Sequence, residues 1–129
     1  MSCADEQFKL LLKAVLPEEI FRYFEITKVL VNDTSIDVHV DELNLPPIAY
    51  KDFKLVSKGF TPTVIIQDFP IRERAVFLHV RRRKWQVEST GEIVSNTWDT
   101  TAQGTRYTKG FAAFLKELFG HIPLKQQKP

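Results

Sequence analysis

The chain has 129 residues, 43% hydrophobic and 26% charged, with ten Phe, three Tyr and two Trp, which is about one domain's worth of sequence with enough large apolar side chains for a core. Its single Cys excludes an internal disulfide and a cysteine-built zinc ribbon, and the length excludes a binding module beside a large catalytic domain. The formal net charge of +2 conceals a division: residues 1–50 hold four basic and nine acidic side chains, residues 51–129 hold 14 and seven, so the halves carry −5 and +7. A basic half favours polyanionic partners.

Met1 to Gln7 is acidic and the stretch after it is interrupted by Lys9 and Lys13, so the start reads as neither a signal peptide nor a membrane span, and the expected compartment is the cytoplasm. Phe8, Leu11, Leu12 and Val15 recur at helical spacing. Pro17 stops that helix and opens a second, with Glu18 and Glu19 in its first turn, where the helix dipole favours acids, and Ile20, Phe21 and Phe24 as its buried face. The period then becomes two. Val29-Leu30-Val31, the turn cluster Asn32-Asp33-Thr34-Ser35, and Ile36, Val38 and Val40 alternating with Asp37, His39 and Asp41 predict a β-hairpin with one wet face.

Residues 42–52, with Pro46-Pro47, predict a loop. Phe53, Leu55 and Val56 are expected to pair with Val64, Ile65 and Ile66 around Ser57-Lys58-Gly59, with Asp68-Phe69-Pro70 ending that pair. Ala75 to Val87 predicts the longest strand, Ser89 to Glu92 a turn, and Ile93 to Trp98 the returning strand. After a loop at Asp99 to Gly104, Thr105 to Phe119 predicts one long amphipathic helix carrying Tyr107, Phe111, Phe114, Leu115, Leu118 and Phe119, stopped by Gly120 and Pro123. The expected fold is a single α+β domain over residues 1–120, with antiparallel hairpins forming a sheet and a disordered basic tail at 121–129.

The sharpest local feature is His79-Val80-Arg81-Arg82-Arg83-Lys84-Trp85. Four adjacent cations repel one another, and a phosphate-rich partner makes sense of the cluster; a charged, solvated strand end is the other reading. Arg72 and Arg74 lie just upstream, and Arg106 and Lys109 open the last predicted helix, where cations oppose the dipole but suit a phosphate. Trp85 and Trp98 flank the hairpin turn, and either stack on bases or pack against each other across the strands.

His39 shares a strand face with Asp37 and Asp41, a pattern open to metal binding or acid–base work but far commoner as a solvated face. His121 follows a helix end, and Cys3 has no nearby histidine to activate it. No glycine loop to cradle phosphate and no serine nucleophile elbow is present, so no catalytic residue, metal or cofactor is expected.

Several segments in order resemble one family. They are Leu16-Pro17-Glu18-Glu19-Ile20 with Tyr23-Phe24-Glu25; Lys58-Gly59-Phe60-Thr61-Pro62; Asp68-Phe69-Pro70-Ile71-Arg72; Leu78 through Trp85; and Gly104-Thr105-Arg106-Tyr107-Thr108-Lys109 with Phe111-Ala112-Ala113-Phe114-Leu115. The chain, over roughly residues 8–120, resembles the ISAon-type transposition regulators, or transposase N-terminal region proteins, of bacterial insertion sequences. The wider group is similar to the N-terminal part of ISL-three-type transposases, in which an Arg-rich strand leads into a four-cysteine zinc knuckle and then a helix. This chain keeps the basic strand, Arg81 to Lys84, and the helix from Thr108-Lys109 onward. Gln86 to Trp98 contains no Cys and no His, so packing and turn chemistry must hold the hairpin where the family has metal. The catalytic Asp-Asp-Glu domain is also missing. The resemblance implies a non-enzymatic DNA-binding accessory of transposition. It would act at insertion-sequence ends beside a transposase from a neighbouring frame, with Arg72, Arg74, Arg81, Arg82, Arg83, Lys84, Trp85, Arg106 and Lys109 toward DNA. The alternative is a module that docks on a transposase or another partner through its acidic half, with Glu18 and Glu19 at the contact.

Overall fold

The structure, a computed structural model, describes residues 3–96 and 106–120. Trp98, the predicted loop at Asp99 to Gly104, His121 and the expected tail at 121–129 lie outside the described residues. Helix α1 spans Cys3–Val15 and α2 spans Glu18–Tyr23, with Pro17 between them. Leu12 and Phe21 pack toward the core while Leu16 and Ile20 lie within it. Strands β1 (Phe24–Val31) and β2 (Ser35–Glu42) form the expected hairpin, Val29 opposite Val38 and Val31 opposite Ile36. The Asn32 N–H donates to the Ser35 carbonyl at 2.8 Å and closes it.

After a 3-10 turn at Ile48–Tyr50 come β3 (Leu55–Phe60), β4 (Val64–Ile71), β5 (Arg74–Arg81), β6 (Arg83–Val87) and β7 (Ile93–Val94), then α3 (Lys109–Phe119). The class is α+β, but the strands make two sheets. The first has the order β1-β2-β5-β4 and the second β3-β6-β7. Antiparallel hairpins alone do not account for the first, because β2 and β5 run parallel. One face carries the main core, in which Val38, Val40, Ile66, Val76, Leu78 and Val80 meet Leu16, Ile20 and Phe24. Each such side chain contributes about 1.5–3 kcal/mol by leaving water. The second sheet packs Trp85, Val87 and Val94 against Tyr50 and Leu55.

Further expectations are corrected, among them the returning strand from Ile93, which stops at Val94. Ser57-Lys58-Gly59 lies inside β3 and is no turn, and β3 pairs with β6 while β4 pairs with β5. Between the pairs Ser57–Trp85 and Phe60–Arg83, Lys58 and Gly59 together oppose Lys84, a bulge that Gly59 accommodates at φ 83°. Asp68-Phe69-Pro70 does not end β4. The ladder shifts register between Asp68 and Ile71, which spares it a hydrogen bond from proline.

The predicted strand Ala75–Val87 breaks at Arg82, where the chain leaves one sheet for the other. The last helix is 11 residues long and starts at Lys109. Its N-cap is Thr108, whose Oγ1 accepts from the Phe111 N–H at 3.4 Å. Residues 106–108 are instead extended along β4: Gln67 donates to the Arg106 carbonyl at 2.7 Å, and Thr108 donates to the Gln67 carbonyl at 2.9 Å. Gly120 closes the helix in the left-handed region at φ 78°.

Candidate functional site

The cationic run divides according to where the chain changes sheets. Arg81, the last residue of β5, lies in register with Asp41 of β2 and grips it with a fork, Nε to Oδ1 at 2.8 Å and Nη2 to Oδ2 at 2.7 Å. That hydrogen-bonded guanidinium holds the Asp41 carboxyl below its ordinary value and raises Arg81 in return. Arg83, the first residue of β6, donates its backbone N–H to Glu42 Oε1 at 2.7 Å and its Nε to the Glu42 carbonyl at 2.8 Å. Both guanidiniums stand over the Phe60 ring, at 4.2 Å and 4.8 Å from its centroid. Arg81 and Arg83 are therefore engaged by the fold itself.

Arg82 and Lys84 are placed differently. Arg82 is tied by its backbone to Thr61, whose N–H donates to the Arg82 carbonyl at 2.7 Å while Oγ1 accepts from the Arg82 N–H at 3.3 Å. Neither Arg82 nor Lys84 is ion-paired among the described residues. Trp85 and Val87 point into the core of the second sheet, so the alternation of β6 turns Lys84 and Gln86 outward. The bulge sets Lys58 opposite Lys84, and Val56 and Ile93 flank Gln86 on the same outer face. Lys58 is a cation the sequence reading passed over, because the bulge that places it depends on a strand pairing with no local signature.

Trp85 leaves the candidate set. It is 2% exposed, and no base can stack on a ring sealed in the core. Arg72 and Arg74 do not join the cluster, since they sit at the start of β5 and Arg81 at its end, roughly 25 Å of extended chain apart. Arg72 and Glu73 form the β4–β5 turn, and Arg74 Nε donates to the Asn32 carbonyl at 2.7 Å. Arg106 is exposed and precedes α3, against the expectation that it opens the helix; Lys109 is its first residue and is exposed. Glu18 pairs with Arg22 at 2.8 Å, and Glu19 lies beside it in the first turn of α2.

The polar row of β2 is not a plain solvated face. Asp37 and Asp41 take different partners across the β2–β5 pair. Asp37 Oδ1 meets His79 Nε2 at 2.7 Å, Asp41 takes Arg81, and the His39 and His79 rings stack at 4.2 Å. The parallel β2–β5 register creates this arrangement by setting His39 opposite His79. A cleft of about 200 Å³ opens there, bordered by Thr27, Lys28, His39, Asp41, Thr63, His79 and Arg81. Among the described residues no group of three or more His, Cys, Asp or Glu side chains is arranged to hold a metal ion. Comparison with known proteins found no matching family model, no similar curated protein and no similar solved structure.

Proposed function

We propose that the chain is a non-enzymatic DNA-binding accessory of insertion-sequence transposition, working at element ends beside a separate transposase. The observation that supports it is the half-buried pair Arg82 and Lys84, free of ion-pair partners among the described residues, with Lys84 on the outer face of β6 and Lys58 opposite it across the bulge. Arg81 and Arg83 brace the strand that carries them.

Titration of a duplex bearing element-end sequence at several salt concentrations tests the reading. About three neutralised phosphates give a slope of log affinity on log salt near −3. Absence of binding at low salt would remove the proposal.

A second reading, a module docking on a transposase, draws on α1, where Leu10 is 67% and Leu11 59% exposed. On that reading Leu11→Glu abolishes co-purification with the transposase and leaves DNA binding intact; retained co-purification would exclude this face.

A further inference from the structure

The two edges of the four-stranded sheet are finished differently. The outer edge of β4 is met by residues 106–108, where Gln67 donates to the Arg106 carbonyl and Thr108 donates to the Gln67 carbonyl. Among the described residues nothing pairs with the outer edge of β1. An open edge presents unpaired N–H and C=O groups, a template for another strand. Thr27 bulges out between Ile26 and Lys28 and spoils the first half of that edge. The regular part runs from Lys28 to Val31, and its apolar side chains remain in water: Val29 is 43%, Leu30 42% and Val31 64% exposed. The phase of the ladder fixes which backbone groups this edge offers. The Asn32 N–H donates to the Ser35 carbonyl at 2.8 Å, so Asn32–Ser35 is a hydrogen-bonded pair. Such pairs alternate along an antiparallel ladder. Leu30–Asp37 and Lys28–His39 are then hydrogen-bonded as well, and Val29 and Val31 turn their N–H and C=O groups away from β2. Their side chains lie on the core face beside Val38 and Ile36, and Leu30 lies on the other face opposite Asp37.

We infer that β1 pairs antiparallel with β1 of a second copy of this chain, about a two-fold axis through Leu30, joining the two four-stranded sheets into one. In that register Val29 of one copy and Val31 of the other exchange both N–H···O=C bonds, and the symmetry repeats the exchange. Leu30 meets Leu30 at the close, non-hydrogen-bonded position, and Val29 stands beside Val31 on the core face. An axis through Val29 or through Val31 also satisfies the backbone, but it sets Leu30 against Lys28 or against Asn32. Charge agrees with the antiparallel sense. Lys28 and Asp33 are the charged residues that flank the apolar run, and the pairing carries Lys28 of each copy toward Asp33 of the other; a parallel pairing would set like beside like. An unrelated extended peptide would satisfy the backbone groups, whereas the apolar match and the Lys28–Asp33 exchange belong to a second copy. About five residues a side are joined, well below the ~20–30 a side of stable complexes, so the dimer is reversible. The inference is independent of the DNA-binding proposal.

The experiment is sedimentation equilibrium of the full chain from about 5 μM to 1 mM, with two charge variants beside the wild type. The wild type is expected to pass from monomer to dimer across this range. Leu30→Lys and Leu30→Glu each set like charges face to face on the axis, so each alone should weaken self-association at least about tenfold. Mixed in equal amounts the two should associate again, because opposite charges then face each other. Val31→Pro removes an outward N–H and no bond to β2, and should also weaken association while the melting temperature stays nearly unchanged. Thermal melts of every variant identify any that fails to fold, and Val31→Pro or the charge pair then decides alone. A wild type that stays monomeric at all concentrations overturns the proposal and leaves the edge to another chain. A dimer that survives in both single charge variants overturns it too, since the contact then lies elsewhere. Folded charge variants that fail to associate on mixing would overturn the axis through Leu30.

Discussion

Two aspartates placed by the same fold titrate in opposite directions. Asp41 is held below its ordinary value of 3.8, first by the Arg81 hydrogen bond and then by the nearby charges. Its stabilising contribution is therefore present above that value and is lost as pH falls through the depressed folded value. Asp41→Asn should be less stable than wild type at pH 7, and the gap should close in acid below about pH 4; denaturant melts at a series of pH values read this directly.

Asp68 is raised, chiefly because burial disfavours its charge, although Thr108 Oγ1 donates to it at 2.8 Å. Its contribution is greatest when it is protonated in acid and is lost as pH rises through the raised folded value. Asp68→Asn keeps an acceptor for Thr108 and removes the buried charge, so at pH 7 it should match or exceed wild type. Asp68→Ala should lose about 1–2 kcal/mol, because Thr108 loses its acceptor. Equal losses in the two variants would contradict this account of the site.

At the scale of elements, the local signals were legible and the pairings were not. The alternation at Ile36, Val38 and Val40 and the turn at Ser89 to Glu92 appear as read, and of the helical stripe Phe111 and Leu115 are buried while Phe114, Leu118 and Phe119 are exposed and Tyr107 precedes the helix. Each depends on neighbours a few residues apart. The parallel β2–β5 pair and the β3–β6 pair join segments distant in sequence, and period-two alternation looks the same whichever strand lies alongside. The candidate site inherits that gap. Arg81 and Lys84 were visible as cations, but whether each meets Asp41 or solvent depends on those pairings. The late start of α3 was concealed because Thr105 to Thr108 continues a plausible helical spacing, while Gln67 recruits residues 106–108 to the sheet edge.

The β4–β5 turn carries a stability prediction of its own. Arg72 and Glu73 hold φ of 50° and 69° between the paired residues Ile71 and Arg74, a two-residue connection that prefers Asn-Gly. The double change Arg72→Asn and Glu73→Gly should raise unfolding free energy by about 1 kcal/mol. It should leave DNA affinity nearly unchanged, since this turn lies far from Lys84. A large affinity loss would place the interface at the other end of the sheet.

At the scale of the whole molecule, Glu42 is a buried link between the two sheets. Glu42, 1% exposed at the end of β2, receives the Arg83 N–H on Oε1 and Asn96 Nδ2 on Oε2 at 3.0 Å. Asn96 also reaches the Leu45 carbonyl at 2.8 Å. Glu42→Ala would strand these donors and should cost roughly 3 kcal/mol in denaturant unfolding. Next to this fastening the chain crosses from β5 to β6 at Arg82, and the alternation of β6 sets Lys84 on its outer face.

That division of the cationic run is the central claim, and salt-dependent duplex binding tests it most directly. By fluorescence anisotropy, wild type should show a slope near −3, and the double variant Arg82→Gln, Lys84→Gln a slope near −1 with an unchanged melting temperature. A double variant that keeps wild-type affinity and slope would contradict the account, as would a wild type that fails to bind at low salt.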